Sequence, residues 1–246
     1  MSYIPMQPVI CTQPGVQTLQ APPGTVLPMQ SIPGVPQGLE YLTYLDTVII
    51  KQKKELVEIV TNFETANRYV VMNANGQQAF FAMEESGCCS RQLCGPRRGF
   101  VMHILDNYQQ EVLANECAIV STSIGHLGSV RQQFSCCSPG YDILDANGDL
   151  VFEICGPCCC SMITCSDKDF NIKTMDGVVV GAITKKWGGC CKEAFTDADT
   201  FQVTFPLDLD VKMKAVLLGA TFLIDFMHFE DANNDSKSST ALDCTR

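Results

Sequence analysis

A continuous apolar segment near the carboxyl end limits the possible folds of this chain more than any other feature. Residues 215–229 form a run of fifteen residues that is apolar on all sides of a helix, apart from Asp225 and His228. A helix that is hydrophobic all round belongs either in a protein core or in a bilayer. The core or membrane positions of this segment are Ala215, Leu217, Leu218, Phe222, Ile224 and Phe226.

The length and the polarity of the segment favour the protein core. At about 1.5 Å per residue the helix reaches roughly 22 Å, whereas the hydrocarbon core of a bilayer is about 30 Å thick. An aspartate near the middle of a bilayer also costs about 3 kcal/mol on insertion scales. We therefore expect a helix over residues 212–230 that is enclosed by protein, with Asp225 hydrogen-bonded inside. A helix in the bilayer stays the alternative.

The chain before this helix carries the pattern of antiparallel hairpins. Short apolar strands flank Asn-Gly, Asp-Asn or Asp-Gly turns at 75–76, 106–107, 147–148 and 176–177. Asn-Gly and Asp-Gly tolerate the positive φ angles of tight hairpin turns. Since no amphipathic helix separates these hairpins, the sequence predicts a mainly β protein whose antiparallel sheet closes or packs on itself. A closed sheet would enclose every apolar face of the helix.

Composition divides the chain into three parts. Residues 1–38 contain no charged residue and eight of the twelve prolines, which predicts a disordered, extended tail. Residues 39–230 form the folded domain, and residues 231–246 form a flexible polar tail. Two P-x-x-P spacings predict docking to SH3 or WW domains, with a passive tether as the alternative because no basic residue flanks them. Their prolines are Pro5, Pro8, Pro33 and Pro36.

The net charge of −10 excludes a general nucleic-acid-binding surface, because neutralising phosphates needs clustered Lys and Arg. Catalysis by a general base or a nucleophile is not expected either. The histidines His103, His126 and His228 are scattered, and the sequence contains no G-x-S-x-G, P-loop or G-x-G-x-x-G motif. We therefore predict that the protein is not an enzyme.

The fifteen cysteines of the chain have three candidate roles. Adjacent cysteines rarely bridge each other, and a chain without a visible secretory signal keeps its thiols reduced. The thiols can be small core residues, metal ligands or acylation sites. Cysteine spacings within 88–94 and 155–165 indicate zinc only weakly, because clean pairs of C-x-x-C knuckles and accompanying histidines are missing from the sequence.

An acidic stretch before the helix is a candidate calcium site of low affinity. Asp197, Asp199 and Asp208 occupy the first, third and twelfth positions of a calcium loop, where carboxylates supply oxygen ligands. Gln202 replaces the usual turn glycine, and residues 201–205 alternate apolar and polar side chains as in a half-buried strand. A solvated acidic turn at 197–199 is the alternative.

Several stretches are similar to the phospholipid scramblase family. They are GLEYL and NFETAN near the start of the domain, CCSRQLCGP at 88–96, GPCCC and DFNIK in the middle, and the final segment with FTDADTF, FPLDLDVKMKAV and FLIDFM. The resemblance implies a tubby-like fold, an antiparallel barrel of about twelve strands around a hydrophobic C-terminal helix. It also implies calcium-activated, ATP-independent, bidirectional movement of phospholipids between leaflets, at the cytoplasmic face of the plasma membrane.

The middle of the chain departs from the family pattern. Family members carry a dense acylated cysteine cluster after the strand that corresponds to residues 111–113, whereas here the interval to Gly156 is shorter by roughly fifteen residues and lacks that cluster. This departure puts the main lipid anchor, and a strand or hairpin needed for barrel closure, in doubt. One acyl chain binds membrane only marginally, so two or more substitute sites are needed. The candidate palmitoylation sites are Cys88, Cys89, Cys94, Cys158, Cys159 and Cys160.

The segment GAITKKWGG at 181–189 is similar to the unconventional nuclear-import segment of scramblases. Two lysines beside a tryptophan imply binding to an import receptor, and a nuclear location when the protein is not acylated. A hairpin edge with its aromatic ring packed inward is the alternative. The residues concerned are Ile183, Lys185, Lys186 and Trp187.

Two functions follow from these observations. In the first, a phospholipid scramblase, calcium at the acidic stretch cancels charge near the helix, and the helix perturbs lipid packing. In the second, a membrane-tethered or nuclear adaptor or lipid-binding module docks SH3 or WW partners through its tail. An enclosed helix favours the second function, because such a helix cannot contact lipid.

Overall fold

The described part of the chain forms one closed sheet around one long helix. The computed structural model describes residues 31–53, 67–86, 100–116, 119–123, 125–135, 137–189 and 199–229. Of the two predicted tails, only residues 31–38 belong to these described ranges.

Twelve strands follow one another around the sheet, and each is antiparallel to its neighbours. The first strand pairs with the last, Ile50 opposite Phe201, which closes the barrel. The strands are β1 (Thr47–Lys53), β2 (Arg68–Asn73), β3 (Gln78–Glu85), β4 (Val101–Leu105), β5 (Glu111–Glu116), β6 (Ile119–Thr122), β7 (Gly125–Gln133), β8 (Gly140–Asp145), β9 (Leu150–Cys155), β10 (Lys168–Lys173), β11 (Val179–Lys186) and β12 (Thr200–Thr204).

The shortened middle of the chain does not open the barrel. β5 and β6 pair directly, with Glu116 opposite Ile119 and Ala114 opposite Ser121. β6 in turn pairs with β7. The doubt about a missing strand or hairpin is therefore removed, because a short connection between two neighbouring strands is sufficient in an antiparallel sheet.

The strands bury one face, as their alternating patterns predict. In β1, Val48 and Ile50 are buried while Lys51 is exposed, and in β12 Phe201 and Val203 are buried between half-exposed neighbours. Because successive side chains of a strand point to opposite faces, the buried set lines the inside of the barrel.

The buried faces of the strands surround helix α2 (Val211–His228), which follows a short helix α1 (Cys159–Met162) and a 3-10 helix (Glu40–Tyr44). Fourteen of the eighteen residues of α2 are buried, and they cover all sides of the helix. The prediction of a mainly β barrel around a hydrophobic C-terminal helix is confirmed. The helix begins and ends within two residues of the expected bounds.

The two ends of the barrel differ in their connections. At the end where α2 begins, here called the helix-start end, the strands are joined by short turns at 74–77, 106–110, 146–149 and 174–178. The end where α2 finishes carries the two longer connections 134–139 and 156–167, although β5 and β6 are also joined at this end, by residues 117–118 alone. We call this the cysteine end, because the described cysteines all lie on β9 or in these two connections.

The predicted turns form the hairpins, with one difference in detail. Gly76, Gly148 and Gly177 have φ angles of 78°, 86° and 78°, the region that Asn-Gly and Asp-Gly sequences favour. In the turn that begins at Asp106, the left-handed residue is Gln109, with a φ of 63°. The hairpin β4–β5 therefore forms, but with a different turn from the one that Asp106-Asn107 indicates.

Candidate functional site

The candidate core or membrane positions of the sequence analysis all lie inside the barrel. Each side chain of the set is at most 1% exposed. Phe222 contacts Tyr69 of β2 with ring centroids 5.1 Å apart, and Phe226 stacks on Phe100 at 3.8 Å. Within the described part of the chain, no helix combines the length and the hydrophobicity that crossing a bilayer requires. The set consists of Ala215, Leu217, Leu218, Phe222, Ile224 and Phe226.

A lysine of α2 is completely buried at the helix-start end. The Nζ of Lys214 donates hydrogen bonds to the carbonyl oxygens of Leu42, Leu45 and Leu207, at 3.0, 2.7 and 2.8 Å. These three bonds use all the donors of an ammonium group. Burial lowers the pKa of Lys214, and the nearby carboxylates of Asp46 and Asp208 act in the opposite direction. Lys214 thus ties the helix to the 3-10 helix and to the chain after β12.

The buried aspartate of α2 has the partner that an enclosed position requires. The hydroxyl of Tyr69 donates a 2.6 Å hydrogen bond to Oδ2 of Asp225. Asp225 is 4% exposed and Tyr69 is 1% exposed, so the pair lies in the core. The expectation that Asp225 finds its partner inside the protein is confirmed.

The last turn of α2 packs into an aromatic group at the cysteine end. The hydroxyl of Tyr141 forms a 2.6 Å hydrogen bond with Nε2 of His228, and the rings of Phe170 and Phe229 lie 6.2 Å apart. Burial raises the pKa of Tyr141 and lowers the pKa of His228, so both groups are neutral near pH 7. The Phe229 ring also lies 4.2 Å from the ammonium group of Lys185.

The acidic candidates for calcium are not brought together. Asp199 precedes β12 at the cysteine end, and its carboxylate forms a 2.9 Å ion pair with Lys185. Asp208 follows β12 at the helix-start end and is exposed. The five-residue strand alone separates them by roughly 17 Å. These two aspartates do not fit one calcium ion, and Asp197 lies outside the described residues.

The described residues also offer no other metal site. Among them, no group of three or more His, Cys, Asp or Glu side chains is placed to hold an ion. The cysteines of the weak zinc pattern lie in two parts of the chain, and the structure describes only one of them. Cys155 is half-buried at the end of β9, while Cys158 and Cys165 are exposed. The other half of the pattern, in 88–94, lies outside the described ranges.

Three candidate acylation sites lie together at the cysteine end. Cys158, Cys159 and Cys160 are exposed; Cys158 is the N-cap of α1, and the other two are its first residues. The backbone N–H of Cys159 donates a 2.9 Å hydrogen bond to the carbonyl of Cys137, which joins the two long connections of this end. The remaining candidates, Cys88, Cys89 and Cys94, lie outside the described residues.

The segment similar to a nuclear-import signal lies on β11 and just after it. Ile183 is buried in the core, and both lysines have acidic partners, Lys185 with Asp199 and Lys186 with Asp167 at 3.0 Å. Trp187 is 38% exposed. An import receptor would therefore meet a strand whose charges are already paired, with only part of the tryptophan accessible.

The second P-x-x-P spacing lies against the barrel. Pro33 is exposed in a turn and Pro36 is buried, and the carbonyl of Pro36 accepts a hydrogen bond from the N–H of Leu39. Residues 34–36 line a groove of about 270 Å³ with the β6–β7 hairpin and Lys212. An SH3 or WW domain would have to displace this packing. Pro5 and Pro8 lie outside the described residues.

The structure adds residues that the sequence analysis did not single out. Besides Lys214, they include His103, whose ring nitrogens lie 2.8 Å from Glu85 and 2.6 Å from Glu111 across three strands. Partial burial acts to lower the pKa of His103, but hydrogen bonds to the two carboxylates outweigh it and raise the pKa. A lysine directly before an apolar run is a sequence signal that points to Lys214. No local sequence pattern points to the contacts of His103.

Comparison with known proteins gives a consistent result over most of the chain. A family model described as Scramblase matches residues 25–231. A phospholipid scramblase 1 of Rattus norvegicus is 42% identical over 243 residues, which cover 92% of this chain and 70% of the relative. Phospholipid scramblase 1 of Homo sapiens is 45% identical, and the match covers 83% of this chain and 69% of the relative. Phospholipid scramblase 2 of Bos taurus is 46% identical, and the match covers 79% of this chain and 72% of the relative. No solved structure matches the chain.

Proposed function

The chain belongs to the phospholipid scramblase family, and from this premise we propose that it moves phospholipids between the two leaflets of a membrane. The observation that supports the proposal most is the family match over residues 25–231, which spans all of the described barrel and α2. Moving a lipid between leaflets breaks no covalent bond. It requires only that the cost of taking a polar headgroup through hydrocarbon is lowered.

We include in the proposal the calcium activation, the ATP independence and the bidirectional transfer that the family resemblance implies. No step is assigned to calcium at Asp199 and Asp208 together, because the two carboxylates lie at opposite ends of β12. The structure also changes the part that α2 would play. An enclosed helix is not in contact with lipid, so lipid must meet the outer surface of the barrel while the barrel is closed.

Membrane attachment is proposed through acyl chains on Cys158, Cys159 and Cys160. Their exposure on one short helix favours modification of more than one thiol, and two or more acyl chains are needed for stable attachment. The family resemblance implies that this attachment is at the cytoplasmic face of the plasma membrane. A nuclear location of the protein without acyl chains is proposed from residues 181–189.

We expect the purified full-length chain, reconstituted without ATP in vesicles that contain fluorescent phospholipid, to transfer lipid when calcium is added. Dithionite destroys only the fluorophore in the outer leaflet. Transfer therefore appears as loss of the inner-leaflet signal, which protein-free vesicles keep. The same proteoliposomes without calcium are the control for activation. An inner-leaflet signal that survives with calcium present would contradict the proposed function.

A second candidate function is supported by the enclosure of α2. In an adaptor or lipid-binding module the helix is only the core of the barrel, and the barrel presents surfaces to partners. This candidate predicts vesicle binding without lipid transfer in the same assay. Docking of SH3 or WW partners would then use the Pro5 to Pro8 spacing, since Pro36 of the second spacing is buried.

A further inference from the structure

The cysteine end exposes large apolar side chains on two neighbouring connections. Phe134, in the connection between β7 and β8, is fully exposed, and Ile163, just after α1, is 86% exposed. The two connections are joined by backbone hydrogen bonds, from Cys159 to Cys137 at 2.9 Å and from Gly156 to Pro139 at 2.8 Å. Exposed apolar side chains on adjacent loops indicate an interaction surface when they are part of one patch.

These two connections contain no charged residue. The sequence has no Asp, Glu, Lys or Arg between Arg131 and Asp142, nor between Glu153 and Asp167. The exposed thiols of Cys158, Cys159 and Cys160 lie in the second interval. A water-exposed loop ordinarily carries charges, so the composition of both connections suits an environment poorer in water than the solvent.

A belt of paired charges and one aromatic side chain lies behind the apolar tips. Arg131 donates hydrogen bonds to the carboxylate of Asp142, and Lys186 pairs with Asp167 at 3.0 Å. The backbone N–H of Trp187 donates to the same Asp167 at 2.8 Å. Paired charges of both signs and a half-exposed tryptophan suit the headgroup layer of a bilayer, which lies between water and hydrocarbon.

The opposite end of the barrel also exposes apolar side chains, among them Met175, Val178 and Leu207, but it differs in charge. The turns at the helix-start end contain no Lys or Arg, and they carry the aspartates Asp106, Asp149, Asp176, Asp208 and Asp210. An acidic end is repelled by a membrane surface that contains anionic lipid. The difference in charge therefore favours the cysteine end as the one that approaches such a membrane.

From these observations we propose that the barrel docks end-on to a phospholipid bilayer through the cysteine end, with Phe134 and Ile163 inserted at the boundary of headgroups and hydrocarbon. The inference deepens the proposed function, on which it rests, by naming the surface that meets lipid. Acyl chains on Cys158, Cys159 and Cys160 would enter the same bilayer from the same surface, and α2 would point its C-terminal end toward the membrane.

The single tryptophan of the chain makes the orientation measurable. We expect phosphatidylcholine vesicles with brominated acyl chains to quench the fluorescence of Trp187 in the full-length, unacylated protein. The double variant Phe134→Asp, Ile163→Asp should bind such vesicles about a hundredfold more weakly, because two exposed apolar side chains no longer leave water. Circular dichroism checks that the variant keeps its sheet.

A matched control lies at the opposite end of the barrel. Met175 and Val178 are 55% and 59% exposed in the turn between β10 and β11. Their double change to aspartate should leave vesicle binding and Trp187 quenching unchanged. Wild-type binding by the Phe134, Ile163 variant, binding without quenching, or weakened binding in the control would each overturn the proposed orientation.

The lipid-transfer assay separates this inference from the function on which it rests. In one outcome, the wild type shows quenching of Trp187 that the Phe134→Asp, Ile163→Asp variant loses, and yet transfers no lipid. That result would contradict scramblase activity but not the docking surface. Full lipid transfer by the Phe134→Asp, Ile163→Asp variant would contradict the docking surface and leave scramblase activity standing.

Discussion

Replacing Lys214 with alanine is expected to lower the free energy of unfolding by about 4 kcal/mol or more. The change removes a long, fully buried side chain and leaves three backbone carbonyls, those of Leu42, Leu45 and Leu207, without their donor. The Leu42 carbonyl still accepts a hydrogen bond from the N–H of Leu45, and Leu207 is 51% exposed, so the Leu45 carbonyl carries most of the hydrogen-bond loss. An unsatisfied buried acceptor costs about 1–3 kcal/mol, and the cavity left by a long buried side chain adds about 2–5 kcal/mol. Chemical denaturation of the full-length protein, followed by circular dichroism, measures the loss.

The control is a second lysine of the same helix, two residues before Lys214. Lys212 is exposed, so Lys212→Ala should change the free energy of unfolding by no more than about 0.5 kcal/mol. The variant Lys214→Met, which keeps most of the volume, should fall between the two because only the hydrogen bonds are lost. Equal stability of the Lys214→Ala and Lys212→Ala proteins would show that the start of α2 is not buried as described.

Gly219→Leu is the second change with a large expected effect on the free energy of unfolding. Whether it lowers or raises that free energy depends on what surrounds α2. A Cβ at Gly219 would lie 2.6 Å from Cγ2 of Val120, and the Gly219 carbonyl accepts a hydrogen bond from Asn115. A leucine therefore cannot fit between α2 and strands β5 and β6. We expect a loss of about 3 kcal/mol or more in the free energy of unfolding, or failure to fold.

In a lipid or solvent environment the same change would be neutral or favourable, because leucine is the better helix former by about 0.8 kcal/mol. Met227→Leu, at a position of α2 that is 37% exposed, serves as the control and should be nearly neutral. Thermal unfolding of the three proteins makes the comparison. A Gly219→Leu protein as stable as the wild type would contradict close packing of α2 against the barrel wall.

The barrel and its helix could be predicted because their signals are local. Turn sequences such as Asn75-Gly76 mark hairpins, and the run from Ala215 to Phe229 is apolar on every side. The role of Lys214 could have been derived as well. Residues two apart in a helix lie on nearly opposite faces, so Lys212 and Lys214 cannot both face solvent when the helix is enclosed.

The arrangement of the acidic residues and of the cysteines could not be predicted in the same way. Asp199 and Asp208 are close in sequence, yet the strand between them extends the chain and carries them to opposite ends of the barrel. The cysteine end depends on which connections meet at one end, which follows from the exact number and order of the strands. Hydrogen bonds such as that from Cys159 to Cys137 join segments that no local pattern relates.

Hydrogen exchange of α2, with and without vesicles, tests most directly whether the apolar helix is the core of the barrel. Amides from Lys214 to Phe226, which have acceptors four residues earlier, should exchange only through global unfolding, at the slowest rate in the protein. They should do so equally in water and with phospholipid vesicles and calcium. Rapid exchange of this segment in water, or protection that arises only when vesicles are added, would show that α2 is not enclosed by the sheet.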